Sequence, residues 1–163
     1  MSSPSPGSLL ETPPKILVVD DEEIVLVALR DSLRQMGHQV ETALTVAEGL
    51  QHLRRQSYAV VFTDHQMPQL TGLEFLAQVR QLQPDASRIL ITAVLNLGTV
   101  IDAINRAEVL RFLIKPWRRE DLEETVNAAL KRHAEIQRSR QELATARQTI
   151  ATLTQENLRL KSH

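Results

Sequence analysis

Hydrophobic positions along the chain fall into two alternating textures. Short apolar runs, Ile16-Leu-Val-Val, Tyr58 to Thr63, Arg88 to Thr92 and about Leu110 to Ile114, read as strands, with the more polar Gln39-Val-Glu-Thr-Ala as a further one. Between them lie longer stretches in which apolar residues recur every three or four positions. These predict helices at Glu22 to Met36 closed by Gly37, Val46 to Arg55, Gly72 to Leu82 ended before Pro84, and about Gly98 to Ala107. Strand and helix alternate throughout, which calls for right-handed crossovers and a mostly parallel sheet covered on both faces. The expected class is α/β, a doubly wound sheet. Residues 1–14 (MSSPSPGSLLETPP) break this rhythm: rich in Ser, Pro and Gly, they cannot bury enough surface to offset their ordering entropy and are expected to form a disordered tail.

From near Glu120 the helical pattern runs to about Leu160 without Gly or Pro, which is about 40 residues or roughly 60 Å of helix. Residues 15–132 are therefore expected to form one domain, and 133–163 a coiled-coil extension continuous with its last helix. A heptad register puts Ile136, Leu143, Ile150 and Asn157 at a, with Ser139, Ala146, Leu153 and Leu160 at d. The same register places Glu135, Glu142 and Glu156 at g, opposite Arg140, Arg147 and Lys161 at e in a parallel pair of chains. Asn157 at an a position favours parallel, in-register pairing, so a homodimer is expected through Ile136, Leu143, Ile150, Leu153, Asn157 and Leu160. A single solvated helix lying on another domain is the alternative. The chain stops inside the coiled pattern at Lys161-Ser-His, so either an output domain belongs to a longer protein or the coiled coil itself carries the signal.

Composition removes several function classes. With 163 residues there is room for one domain and an appendage. Twenty acidic and 19 basic residues give a net charge of -1, so no global basic field exists to hold a nucleic-acid backbone. In the extension Lys and Arg are interspersed with acids rather than clustered, so direct nucleic-acid binding is not expected. Zero cysteine excludes disulfides, zinc–thiolate sites, iron–sulfur clusters and thiol chemistry. No apolar run approaches the roughly twenty residues of a membrane helix, and no signal peptide is evident; a cytoplasmic protein is expected.

In parallel sheets ligands bind in the crevice at the carboxyl ends of the strands, so the residues that end each strand matter. The first run ends in Asp20-Asp21, the third in Asp64, the fourth in Thr92 and the fifth in Lys115-Pro116. Three carboxylates at one edge repel one another unless a cation sits among them, and Mg2+, which prefers oxygen ligands and tolerates one or two carboxylates, suits such a set. A carboxylate is also a nucleophile toward phosphorus when a metal and a cation absorb charge on the phosphoryl oxygens. Asp64, Mg2+ and Lys115 would supply those parts, and the Thr92 hydroxyl would sense the new oxygens. Each of these residues alone is more often a turn former, helix cap or solvated charge. Their joint order is what points to chemistry.

The pieces Ile16-Leu-Val-Val-Asp-Asp-Glu, Asp64-His-Gln-Met-Pro-Gln-Leu-Thr-Gly, Ile91-Thr-Ala and Phe112-Leu-Ile-Lys-Pro-Trp resemble the receiver domain of two-component response regulators, over Lys15 to about Arg132. The resemblance implies a flavodoxin-like five-stranded parallel sheet and a partner histidine kinase or phosphotransfer protein. It implies Asp64 as phosphoacceptor, Asp21 and Asp64 as direct Mg2+ ligands, the backbone carbonyl of Gln66 as a third, and Asp20 acting largely through water. Lys115 would pair with the phosphoryl group, Thr92 and Phe112 would be the switch pair, and the Lys115–Pro116 bond would be cis. Gln66 and Val94 would flank the phosphate route, while His65 departs from the common pattern and reads as a loop residue.

Two other readings stay open. An Asp-nucleophile phosphatase also uses Mg2+, but needs a second acid normally two residues after the nucleophile, where this chain has Gln66. A dimeric scaffold with a receiver-like domain not regulated by phosphorylation would need no working acidic set.

Overall fold

The computed structural model describes residues 13–162. The tail read at 1–14 lies outside the described residues apart from Pro13 and Pro14, which are exposed. Five strands, β1 (Lys15–Val19), β2 (Gln39–Ala43), β3 (Val60–Asp64), β4 (Ser87–Thr92) and β5 (Arg111–Ile114), alternate with five helices, α1 (Glu23–Gln35), α2 (Val46–Arg55), α3 (Gly72–Leu82), α4 (Leu97–Ala107) and α5 (Arg119–Lys161). The sheet runs β2-β1-β3-β4-β5 with every pair parallel, the flavodoxin-like order.

Strand residues alternate between two separate cores, as the period of two dictates. Ile16, Val18, Val60, Phe62, Ile89 and Ile91 face α1 and α5, packing with Leu26, Leu29, Leu33, Leu122 and Val126. Leu17, Val19, Val61 and Leu90 face the other way, onto Leu53 of α2, Phe75, Leu76 and Val79 of α3, and Ala103 and Ala107 of α4. Because both faces are covered, β1, β3 and β4 read as continuous apolar runs. The chain reverses its direction of travel across the sheet at β1, which puts a crevice at the carboxyl ends of β1 and β3.

Two helices depart from simple amphipathicity. α4 buries only Ala103 and Ala107, and turns Leu97, Ile101 and Ile104 outward. Its far end is held by Arg88, fully buried in β4, whose Nε donates to the Ala107 carbonyl at 2.7 Å. Burial lowers the Arg88 guanidinium to about 10. Arg80 adds a 2.7 Å contact to Glu108, which follows α4 with a left-handed φ of 45°. α5 packs on the sheet through Leu122, Thr125, Val126 and Ala129, and from Gln137 to Ser162 every residue is exposed. No helix of the described residues is long and apolar enough to cross a membrane.

Candidate functional site

The acidic cluster assembles from the ends of β1 and β3. Ligand oxygens of Asp20, Asp21 and Asp64 lie within 4.8 Å of one another. Asp20 is fully buried, Asp64 is 5% exposed, and Asp21 faces solvent. Asp20 Oδ1 accepts from the Glu22 N–H at 2.8 Å and Asp64 Oδ2 from the Gln66 N–H at 3.1 Å. Asp20 Oδ2 is buried with no hydrogen-bond partner. Lys115, brought in at the end of β5, places Nζ 2.8 Å from Asp64 Oδ1 and 4.0 Å from Asp20 Oδ2. One ammonium thus serves two buried carboxylates, with a third carboxylate beside them.

The electrostatics follow from that shortage of positive charge. Burial pushes the Asp20 carboxyl up to about 6; the Glu22 N–H opposes the shift, and the neighbouring charge of Asp64 adds to it. Burial disfavours the Lys115 ammonium, but its hydrogen bond to Asp64 and the charges of Asp64 and Asp20 outweigh this and raise it above its ordinary range. A buried, unpartnered carboxylate oxygen flanked by two further carboxylates fits a hard divalent cation in donor type and charge.

The remaining expected residues sit on the same edge but are not all in contact. Thr92 ends β4, where its hydroxyl donates to the Val94 carbonyl at 2.8 Å and accepts from the Val94 N–H at 3.3 Å. Its hydroxyl is therefore engaged within its own loop. Val94 itself is 67% exposed. Phe112 in β5 is half-buried, packed against the core that holds Ala103 and Ala107. The Lys115–Pro116 peptide is cis. Gln66 is exposed in the loop after β3, and His65 is half-buried with Nδ1 unpartnered. The seam residues lie far along α5: Ile136 is half-buried, whereas Leu143, Ile150, Leu153, Asn157 and Leu160 are exposed.

Gly72 is a positioning residue that pattern reading left without a role. A Cβ there would stand 2.0 Å from the Asp64 carbonyl oxygen, while its N–H donates to the His65 carbonyl at 2.9 Å. Only glycine lets α3 start close enough to fold this loop back under Asp64. The spacing Asp64 to Gly72 carries that signal; the reason for it emerges only when the two backbones meet.

Comparison with known proteins agrees with this geometry. The family model of the response regulator receiver domain matches residues 16–127. The hydrogenase transcriptional regulatory protein HoxA of Cupriavidus necator is 36% identical over 115 residues, 71% of this chain and 24% of that protein. The transcriptional regulatory protein GlrR of Escherichia coli is 32% identical over 124 residues, 75% of this chain and 27% of its own length. The chain thus spans about a quarter of these relatives. Among solved structures, the signal receiver domain of an HD domain-containing protein from Pseudomonas fluorescens superposes with a TM-score of 0.73 at 32% identity, covering 79% of this chain and 96% of that one. A CheY-like response regulator receiver domain protein from Methanospirillum hungatei gives a TM-score of 0.71 at 26% identity, covering 76% and 98%. By sequence and by fold, this chain belongs to the response regulator receiver domain family.

Proposed function

We propose that the chain is a phosphorylatable switch in which Asp64 takes a phosphoryl group from a histidine kinase or phosphotransfer protein, and that residues 15–132 relay the change to the extension 133–163. The observation that carries this reading is the crowding of Asp20, Asp21 and Asp64 around a single Lys115, with Asp20 Oδ2 left unpartnered. Asp20, Asp21, Asp64 and the Gln66 backbone carbonyl would hold Mg2+, which when bound neutralises charge on the phosphoryl oxygens. An Asp64 carboxylate oxygen forms the new bond to phosphorus as the donor's P–N bond breaks. The electron pair leaves with the donor imidazole, which takes a proton. Lys115, already 2.8 Å from Asp64, balances the added charge.

The Thr92 hydroxyl then has a stronger acceptor than the Val94 carbonyl it now holds, and turning toward it reshapes the loop after β4. Phe112 would follow inward beside α4. The exposed seam of Leu143, Ile150, Leu153, Asn157 and Leu160 would pair in parallel with a second copy, supported by Glu142–Arg147 and Glu156–Lys161 complementarity. The named relatives are transcriptional regulatory proteins. We extend that role to this chain only as control over how two stalks approach, because Lys and Arg of residues 133–163 are interspersed with acids.

The test is phosphoryl uptake from acetyl phosphate with Mg2+, read as the intact mass of the protein. Wild type gains one phosphoryl group, whereas Asp64→Asn gains none and keeps its thermal transition. Equal labelling of both proteins, or none of either, overturns the reading. Sustained turnover of a phosphate ester by wild type would favour the phosphatase alternative.

A further inference from the structure

The segment joining α3 to β4 lies at the amino end of β4, away from Thr92 and the acidic cluster. There it takes hold of α5. Ser87 Oγ donates to the Ala129 carbonyl at 2.8 Å, and Arg132 donates to the Asp85 carbonyl and to Ser87 Oγ, both at 3.2 Å. Farther along the helix, Gln137 Nε2 reaches the Asp85 carboxylate at 3.2 Å and Arg140 reaches it at 2.6 Å. All these α5 residues lie beyond residue 127, where the family match ends. Ala129 and Arg132 close the receiver part of α5, and Gln137 and Arg140 begin the extension.

Arg140 has a second claim on it. In parallel pairing it is the e residue that meets Glu135 of the other chain. Held 2.6 Å from Asp85, whose side chain is only 20% exposed, it is drawn back along its own receiver. Ile136, the first a residue of the seam, is also the last half-buried residue of α5. Beyond it, Glu142–Arg147 and Glu156–Lys161 have no competing partner among the described contacts of this chain.

We infer that Asp85 is a clasp that binds the root of the extension to the receiver and withdraws Arg140 from inter-chain pairing, so a second copy of this chain zips along the seam from Leu143 rather than from Ile136. The pairing half of this inference rests on the dimeric stalk proposed above; the clasp itself does not. Asp85 and Ser87 sit at one end of β4 and Thr92 at the other, so one strand touches both the stalk root and the candidate phosphorylation edge. A change in stalk pairing therefore has a short structural path to that edge.

The experiment uses the full chain as wild type, Asp85→Asn, Arg140→Gln and the double variant. Backbone hydrogen exchange over residues 133–140 should quicken about three- to fivefold in each variant, with sheet amides unchanged and no further gain in the double variant. Sedimentation equilibrium should show Asp85→Asn dimerising about three- to fivefold more tightly, because Arg140 is freed for Glu135, while Arg140→Gln gains nothing. Exchange is repeated in a Leu153→Asp background, where the seam is broken. Persistence there of the Asp85-dependent protection supports the clasp independently of dimerisation, and its absence overturns it. A wild type that stays monomeric at every concentration sinks the dimer reading, whereas a wild type that dimerises no less tightly than Asp85→Asn sinks the competition.

Discussion

Two carboxylates on neighbouring strands have opposite fates. Asp20 follows β1, and Glu41 lies midway along β2, paired with Leu17 of β1. Tyr58 donates a short hydrogen bond to Glu41, Gln56 donates another at 2.6 Å, His52 Nδ1 lies 3.2 Å away and Lys15 Nζ 3.7 Å. Although burial opposes it, the hydrogen bonds of Tyr58 and Gln56 with the charges of Lys15 and His52 hold Glu41 below the usual carboxylate range. Asp20 is given one backbone N–H and a lysine 4.0 Å away, and rises to about 6. A half-buried acid with its partners supplied marks architecture, and a buried one left short of them marks a place kept for something else.

That contrast predicts opposite signs on mutation. Glu41→Ala, which removes the acceptor of the Tyr58 hydroxyl and of one Gln56 hydrogen bond, should cost about 2–3 kcal/mol in urea unfolding and leave phosphoryl uptake by the folded protein unchanged. Asp20→Asn should raise metal-free stability by about 1–2 kcal/mol by removing a poorly compensated buried charge, while weakening Mg2+ binding measured by calorimetry. If both substitutions destabilise, the distinction between the two carboxylates fails.

A smaller effect sharpens it through pH. The folded-state pKa of Asp20 is raised from 3.8 to about 6, so the folded form binds its proton more readily than the unfolded one. Without metal, this group's contribution to stability grows as pH falls from above 6 toward 3.8. Mg2+ and that proton compete for the same charge. Mg2+ at tenfold its dissociation constant should add about 1.4 kcal/mol at neutral pH, and the gain should shrink as pH drops through about 6. Thermal melts with and without Mg2+ across that range check it. The smallest effect runs the other way. Burial lowers His38 and His133 below 6.5, so they cost nothing well above that value and erode stability as pH falls through it. The double variant His38→Gln, His133→Gln should flatten that decline in chemical-denaturation midpoints.

The strand ends that build the site were legible in the sequence because a parallel sheet delivers its carboxyl edge from local information alone. The pattern located Asp20, Asp21, Asp64, Thr92 and Lys115 together, and the helix bounds of α2 and α3 with them. What it left unread are contacts between polar residues remote in sequence. Arg88 passes for the start of an apolar strand, yet it is buried and caps α4 nineteen residues later. Nothing in the sequence pairs Glu41 with Tyr58, or Asp85 with Arg140, until the fold brings them together. Periodicity reports which side faces oil, and says nothing of which charges meet.

Of the elements described, α4 has the least to lose by shifting. Its inner face is two alanine methyl groups, its bulky side chains already stand in water, and its tail is pinned by arginines from β4 and α3. Rolling such a rod uncovers little oil and breaks no core. Were it to pivot on the pinned tail, its displacement would be greatest near Asn96, two residues past the Val94 loop that Thr92 now holds. On the switch proposed above, a tug worth one hydrogen bond at the strand tip would become a swing of the Leu97–Ile101–Ile104 ridge.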